Sequence, residues 1–390
     1  MRDPRTPALA VCAMFALNGA LFGIWASRIP VFVERFDVSS GTLGLLLLCL
    51  AGGAILSFPI AGRVSDRMGA SALTRALALF YVVALCLLAV APSLEFLAVC
   101  LAMFGATHGA MDVAMNSWGA DVEKVRRRPL MPMFHAMYSL GAGLGAASGY
   151  GAARAGITPE IHFATVGLFA TVLALVLARV RWQSPRTMSG TGPSFSLPRG
   201  ALLFVGTIAF SASVGEGAMA DWSAVLLADV IGATEARAAL GYAVFSVAMV
   251  ATRLSGPVII SRLGAIGTAR ASGAIAAVGA VMLVLSQGVA TALIGFVLLG
   301  IGYATIMPLA FSRAAAEPGI GQGQAIASVA TLGDGGMLLG PPLIGAVAEF
   351  TGLRTALLLL AVLSATIVLL YGRLRAEGRQ SAAQRKDEAA

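Results

Sequence analysis

The stretch Gly62–Ser71, "GRVSDRMGAS", is a short polar segment between two long apolar runs. The flanking runs, 42–62 and 74–91, each have about the length that a helix needs to cross a bilayer core, roughly 20 residues. Inside the segment, two glycines bracket an acid and two bases, and glycine permits a tight turn between helices. The stretch therefore predicts two membrane helices joined by a charged turn at the membrane surface.

The same pattern of apolar runs and short polar turns extends over the whole chain. Of its 390 residues, 58% are hydrophobic and only 12% are charged, whereas a soluble domain carries about 25% charged residues. Long apolar runs are not typical of transmembrane barrels, whose strands show a weak alternation over about ten residues. We therefore predict an all-α membrane protein with twelve transmembrane helices. They span approximately 8–27, 42–62, 74–91, 95–119, 133–153, 160–178, 201–226, 238–259, 270–288, 290–312, 323–347 and 353–372.

The longest connection lies near the middle of the chain and predicts a division into two halves. This connection, "RVRWQSPRTMSGTGPSFSLPRG", is polar, basic and rich in Pro, Gly and Ser, which is typical of a linker. The predicted organisation is an N-terminal six-helix half (1–180), a cytoplasmic linker (181–200), a C-terminal six-helix half (201–372) and a cytoplasmic tail (373–390).

The distribution of basic residues predicts the orientation in the membrane. If both termini are cytoplasmic, 22 of the 27 Lys and Arg residues fall on the inner side, including three at 253–270. Cytoplasmic loops carry such an excess of bases. We expect a multi-pass protein of the bacterial inner (plasma) membrane with both termini in the cytoplasm.

Composition also argues against several other classes of protein. The net charge of +8 could suggest nucleic acid, but the bases lie in loops without an aromatic-rich basic platform, so the expected partner is the lipid bilayer. No nucleophile–base constellation or cofactor motif is present, so neither an enzyme nor a cofactor is expected. The cysteines show no CxxC spacing and indicate neither a disulfide framework nor a zinc site. They are Cys12, Cys49, Cys86 and Cys100.

An internal repeat appears when the chain is shifted by 195 residues, half its length. The motif Arg67-Met-Gly69 then falls on Arg262-Leu-Gly264. Glycines coincide at the same shift: Gly105 with Gly300, Gly141 with Gly336, and Gly145 with Gly340. A constant shift across several loops and helices indicates two similar halves.

The opening stretch resembles the loop signature of the major facilitator superfamily, G-x-x-x-D-R-x-G, at Gly62, Asp66, Arg67 and Gly69. The resemblance implies two parallel six-helix halves around a central pathway, with these four residues in a gate. An acid at a cytoplasmic helix end can accept bonds from the N-terminus of a neighbouring helix or from an Arg. In the second copy Ser261 occupies the position of Asp66, so we expect the charge lock on one side only.

The fourth predicted span places His108, Asp112 and Asn116 at i, i+4 and i+8, on one face of a helix. An ionised Asp in mid-membrane costs roughly 2.5–3.5 kcal/mol on insertion scales, and such residues mark transport pathways or proton relays. Asn116 offers a donor and an acceptor. We expect Asp112 to carry protons and Asn116 and His108 to bind substrate, although all three can also join helices.

The segments "GAMDVAMN" and "RPLMPMFHAMYSLGAGLGA" resemble bacterial inner-membrane permeases of the superfamily that are related to the fucose–proton symporters. That resemblance matches Asp112 and Asn116 to a carboxylate and an asparagine of the fourth span. It implies proton coupling and a polar, sugar-like solute.

Other polar residues inside apolar runs complete the predicted site. Glu216 is expected to contact protons or substrate, and Asn18, Asp221 and Trp222 to contact substrate, with a membrane-interface role open for Trp222. Asp334 is predicted to be a latch between the halves. His135 and Tyr138 are placed near the cytoplasm at the same interface.

The sequence as a whole predicts a monomeric secondary transporter that moves a small polar solute with protons by alternating access. Two alternatives stay open. One is a proton-driven exporter of drugs or metabolites, and the other is a transporter-like sensor that moves no solute.

Overall fold

The computed structural model describes residues 6–37, 40–186, 198–233 and 240–374. Arg2, Arg5, Arg237, residues 187–197 of the predicted linker and residues 375–390 of the predicted tail lie outside the described residues. The first part of the chain forms α1 (Pro7–Ala26), α2 (Ile29–Arg35), α3 (Ser40–Met68), α4 (Ala70–Ala89), α5 (Leu94–Arg126), α6 (Met131–Arg154) and α7 (Pro159–Leu177). The second part forms α8 (Ala201–Val225), a π-helical turn (Leu226–Val230), α9 (Leu240–Leu285), α10 (Val289–Tyr303), α11 (Ile306–Ala315), α12 (Gln322–Thr351), α13 (Leu353–Ala356), α14 (Leu358–Leu370) and a 3-10 turn (Tyr371–Leu374).

Helix starts follow from local sequence. The Thr6 hydroxyl accepts a bond from the backbone N–H of Leu9 at 3.2 Å, and Pro7 occupies the first position of α1. The Ser93 hydroxyl does the same for the N–H of Phe96 at 3.3 Å in α5. A side-chain oxygen at this position satisfies one of the N–H groups that a helix leaves unpaired, and proline lacks that N–H.

Within the described ranges, nine helical segments are long and apolar enough to cross a membrane. One of them, α9, has 46 residues and contains a kink at Gly264, where two helical segments meet. An all-helical membrane protein is therefore confirmed, whereas the count of twelve spans stays a prediction.

The chain forms two compact units. Unit 1 comprises Met1–Ser196 together with Gly321–Thr331, and unit 2 comprises Leu197–Ile320 together with Leu332–Ala390. The beginning of α12 therefore packs with the N-terminal part of the chain and the rest of α12 with the C-terminal part. The predicted division at 181–200 stays a prediction.

The 195-residue repeat has structural counterparts in both units. Gly69, between α3 and α4, has φ 92° and ψ 133°, and Gly264, inside α9, has φ 69° and ψ 168°. These left-handed φ values favour glycine, and they break the helix at the same place in each copy.

Close helix packing repeats as well. A Cβ added to Gly105 would lie 1.8 Å from the carbonyl oxygen of Leu50, and one added to Gly300 would lie 2.4 Å from that of Phe245. The residues that they contact, Leu50 and Phe245, are related by the same shift of 195 residues. Each unit thus uses a glycine at this position because the neighbouring backbone leaves no room for a side chain.

Two predicted boundaries are wrong. The expected loop between 259 and 270 is helical except at Gly264, because only this residue leaves the helical region. The sequence "DVEKVR", predicted to follow the fourth span as a loop, continues α5 to Arg126. The span predicted at 290–312 corresponds to one apolar segment, Val289–Ala315, with a turn at Ala304 and Thr305 between α10 and α11.

Candidate functional site

The polar face predicted on the fourth span is present on α5 of unit 1. The Nδ2 group of Asn116 donates to Oδ1 of Asp112 at 3.1 Å and to the backbone carbonyl of Asp112 at 2.9 Å. On its other side, Asn116 Oδ1 lies 3.1 Å from Nε2 of His135 on α6. Asn116 is fully buried, whereas Asp112 and His135 are half-buried. The structure therefore joins a carboxylate, an amide and an imidazole, which we name the Asp112–Asn116–His135 chain.

The proton on His135 can be placed by elimination. A backbone carbonyl only accepts hydrogen bonds, so the amide nitrogen of Asn116 must face Asp112. Its Oδ1 then faces His135, and Nε2 of His135 must carry a hydrogen to make the 3.1 Å bond. In the described arrangement the Asp112–Asn116–His135 chain thus runs from an imidazole donor, through the amide, to the Asp112 carboxylate.

His108 lies one turn before Asp112 and belongs to a separate aromatic cluster. Its Nδ1 is 2.9 Å from the hydroxyl of Tyr81 on α4. Its ring centroid lies 5.3 Å from that of Phe22 and 6.3 Å from that of Tyr138. The imidazole is half-buried, so it packs into the helix interface and keeps part of its ring exposed.

Asn18 of α1 is fully buried, and its Nδ2 donates to the backbone carbonyl of His108 at 3.3 Å. This bond ties α1 to α5. Contact between Asn18 and a solute stays a prediction, and in the described arrangement the side chain joins two helices.

In unit 2, Glu216 of α8 forms an ion pair with Arg253 of α9, with Nη2 and Oε2 3.2 Å apart. The Nε group of Arg253 donates to the backbone carbonyl of Ala304 at 3.2 Å. Ala304 lies at the break between α10 and α11, where the carbonyl has left the regular helix ladder. Arg253 therefore neutralises an acid inside the membrane-spanning part and also stabilises a helix break.

The assignment of Arg253 to the cytoplasmic charges was wrong. It lies 11 residues before the Gly264 break, about 16 Å along a helix, and its side chain is 6% exposed. An Arg in the apolar run "GYAVFSVAMVATRLSGPVII" is the signal that could have identified it, since intramembrane charges pair with one another.

The other predicted residues of unit 2 lie on α8 and α12. Asp221 is exposed and Trp222 is half-buried, with the Trp222 ring beside Gly345 of α12. Asp334 is half-buried on α12. Roles in substrate contact for Asp221 and Trp222, and in a latch for Asp334, stay predictions.

Two of the predicted gate residues, Asp66 and Gly62, lie at the first turn of α12. Oδ1 of Asp66 accepts the N–H of Gly323 at 2.9 Å, and Oδ2 accepts that of Gln324 at 3.3 Å. A negative charge at a helix N-terminus is favourable because the first N–H groups have no partner within the helix. Gly62 lies against the same turn, since an added Cβ would be 2.8 Å from the carbonyl oxygen of Gly323. Arg67 is exposed.

A second acid at this place was missed by sequence analysis. Asp121 is buried and lies close enough to Ser184 and to Gln322, the first residue of α12, to interact with both. The side-chain amide of Gln322 also donates to the carbonyl of Ser117 at 2.6 Å. Ser184 in turn accepts the N–H of Ser71 at 3.2 Å, so the end of the first half is fixed to the start of α4. Asp121 was missed because it was assigned to a loop.

Comparison with known proteins identifies the family. The family model "Major Facilitator Superfamily" matches residues 9–320. The chain belongs to the major facilitator superfamily. It is 44% identical over 371 residues to the uncharacterized transporter y4wD of Sinorhizobium fredii, with 95% of this chain and 98% of the relative covered.

Solved structures of the superfamily have the same fold. A crystal structure of the fucose:proton symporter FucP of E. coli superposes with a TM-score of 0.76 at 18% identity, covering 95% of this chain and 98% of that one. A crystal structure of the human organic anion transporter MFSD10 gives a TM-score of 0.78 at 15% identity, covering 96% and 100%. At these identities the likeness concerns the fold alone. As a member of the major facilitator superfamily, the chain is a multi-pass membrane transporter of small molecules.

Proposed function

We propose that this transporter moves a small polar, sugar-like solute together with protons by alternating access, and that Asp112 carries the proton. The observation that supports the proposal most directly is the Asp112–Asn116–His135 chain. Within the described residues the Asp112 carboxylate bonds to a neutral amide. Gain or loss of a proton at Asp112 would therefore not break an ion pair.

The Asp112–Asn116–His135 chain also offers a way to sense the protonation of Asp112. If Asp112 takes up a proton, its carboxyl gains an O–H donor and keeps an acceptor, but the bond from the Asn116 amide at 3.1 Å loses the negative charge that strengthens it. Any resulting shift of the amide would be felt by His135, which bonds to Asn116 Oδ1 from another helix, α6. A change of charge on α5 would in this way alter a contact between two helices.

The proposed setting is the bacterial inner membrane, with both termini cytoplasmic and the protein acting as a monomer. Asp66 and Asp121 are proposed to hold the start of α12 during part of the transport cycle and to release it in another part. Asp66 makes two bonds to that helix start and Asp121 lies beside it, so a charge-sensitive contact of this kind can be broken and remade.

The experiment is solute-dependent proton movement in proteoliposomes that contain the pH dye pyranine. L-fucose and D-galactose are added outside in the absence of a pH gradient. Entry of protons with solute acidifies the lumen and supports symport. Alkalinisation indicates an exporter that exchanges solute for protons, and no change with any solute favours a sensor.

The matched variants are Asp112→Asn and Glu349→Gln, the latter an exposed carboxylate near the end of α12. Asp112→Asn is expected to abolish accumulation driven by a pH gradient while leaving the exchange of labelled for unlabelled solute. Glu349→Gln should change neither. Accumulation against a gradient by Asp112→Asn would rule out Asp112 as the carrier.

A further inference from the structure

The two intramembrane carboxylates that the sequence assigned to proton coupling have different partners. Asp112 bonds to the neutral amide of Asn116. Glu216 bonds to the guanidinium of Arg253. This difference assigns the two acids to different tasks.

Arg253 is held in place on two sides. Its Nε donates to the carbonyl of Ala304 and its Nη2 donates to Oε2 of Glu216, both at 3.2 Å. The Arg253 side chain is 6% exposed, whereas that of Glu216 is 25% exposed. A solute can therefore reach Glu216, while Arg253 lies behind it as a fixed countercharge.

The exposed part of Glu216 is an acceptor. An ionised carboxylate has lone pairs but no hydrogen to donate, so a group that binds it must be a donor. Within the part of the chain that the structure describes, Arg253 engages Oε2, and Oε1 keeps its acceptor capacity. Among ligand groups, hydroxyls and ammonium groups can donate to it.

The balance of charge separates these two kinds of donor. The Glu216–Arg253 pair is neutral as a whole, so a hydroxyl leaves the site neutral, whereas an ammonium group adds a positive charge to an apolar surrounding. The Tyr242 phenol lies within electrostatic range of both members of the pair, and also of the Asp221 carboxylate. Asp221 is exposed near the end of α8. The Tyr242 hydroxyl adds a further hydrogen-bonding group for a polyol.

We propose that Glu216 does not carry protons but is a fixed hydrogen-bond acceptor for a hydroxyl group of an uncharged solute, with Arg253 as its positioning residue. This inference rests on the proposed function, because it presumes a transport cycle in which Asp112 carries the proton. It narrows the solute to an uncharged polyhydroxylated compound.

The first test measures protonation directly by infrared difference spectroscopy of the purified protein in lipid. The C=O band of protonated carboxyl groups is compared between about pH 8 and about pH 5.5, a range in which surface acids with pKa values near 4 stay ionised. The band gained on acidification should be smaller in Asp112→Asn. It should be unchanged in Glu216→Gln and in the exposed control Glu349→Gln.

The two possible failures are distinguishable in this experiment. A smaller band in Glu216→Gln shows that Glu216 takes up a proton and overturns the inference. An unchanged band in Asp112→Asn instead counts against Asp112 as the carrier, and therefore against the proposed function.

The second test compares solutes that share a ring but differ in charge. D-galactose, D-galactosamine and D-galacturonate are uncharged, positive and negative at neutral pH, and L-fucose is a second uncharged sugar. The uncharged sugars should raise the Tm of the wild-type protein most. In Glu216→Gln the concentration giving half of that rise should increase roughly 10- to 100-fold, as expected for loss of a bond to a charged group.

Three outcomes overturn the assignment of a hydroxyl ligand. They are a larger Tm shift with the amine or the acid, an equal half-saturating concentration in wild type and Glu216→Gln, and no shift with either uncharged sugar. The conservative variant Arg253→Lys keeps the positive charge but lacks the planar guanidinium with its several N–H donors. It should weaken binding of the uncharged sugars and leave the infrared band of protonated carboxyl groups unchanged.

Discussion

The Glu216–Arg253 pair allows a quantitative test of the structure of unit 2 by a double-mutant cycle. Glu216→Gln removes the negative charge that pairs with the Arg253 guanidinium, whose side chain is 6% exposed. Removal of one partner of a buried ion pair typically costs about 3–5 kcal/mol. Arg253→Met leaves Glu216, but because a quarter of that side chain is exposed, water can compensate part of the loss, and we expect roughly 1–3 kcal/mol.

The double variant should be more stable than the sum of these losses predicts. With both charges removed, the main remaining cost is the carbonyl of Ala304, which loses the Nε donor of Arg253; that is about 1 kcal/mol. The coupling energy between the two positions, the summed single losses minus the double loss, should therefore be about 3–7 kcal/mol. At about 2 °C per kcal/mol for a chain of this size, Glu216→Gln should lower the Tm by about 6–10 °C and the double variant by about 2 °C.

Thermal unfolding of the purified protein in detergent, followed by the fluorescence of its four tryptophans, measures the cycle. Arg262→Met is the matched control, since Arg262 is an exposed cation on the same helix, and exposed substitutions stay within about 0.5 kcal/mol. If the losses of the two single variants simply add in the double variant, the two side chains do not interact, and the assigned role of Arg253 is wrong.

Three further variants test the packing and the gate. Gly105→Ala places a Cβ 1.8 Å from a carbonyl oxygen, whereas a Cβ at Gly143 meets nothing within 4 Å. Gly105→Ala should therefore lower the free energy of unfolding by about 1–3 kcal/mol, while the control Gly143→Ala should not. Equal Tm values of the two variants would contradict the described packing. Asp66→Asn removes the charge from the start of α12 and should lose about 1–2 kcal/mol in the same assay, and an unchanged Tm would mean that the cap contributes nothing. Tyr81→Phe should lose about 1 kcal/mol and move the NMR resonances of the His108 ring, since the phenol is 2.9 Å from Nδ1; unmoved resonances would argue against that bond.

The fold was largely predictable from the sequence because bilayer thickness fixes the length of an apolar helix. The first and sixth predicted spans, 8–27 and 160–178, agree with α1 and α7 to within one residue at each end. The errors fall where helices extend beyond the apolar run. At α5, "DVEKVR" is polar, but nothing in it stops a helix, and the helix ends only where Arg127 adopts φ 52°.

The site was predictable only where its contacts are local. Asp112 and Asn116 are four residues apart on a helix, so their hydrogen bond follows from helix geometry. The bond from Asn116 to His135 joins two helices, and its formation depends on the angle and depth at which α6 packs. Arg253 was misjudged because a count of bases by loop assigns every Arg to a membrane surface, whereas a mid-helix Arg can be retained by a buried acid.

The two related helices α6 and α12 are capped in different ways at their starts. Oε2 of Glu123, seven and eight residues before the groups it accepts, bonds to the N–H of Leu130 at 2.7 Å and of Met131 at 2.9 Å. The start of α12 is instead capped by Asp66, 257 residues earlier in the chain. The counterpart of Asp66 in the repeat, Ser261, bonds through its hydroxyl to the carbonyl of Val258 within its own helix. A repeat detected by its glycines therefore does not predict its acids, because the glycines follow from helix packing that both copies share, whereas each helix start takes its cap from a different part of the chain.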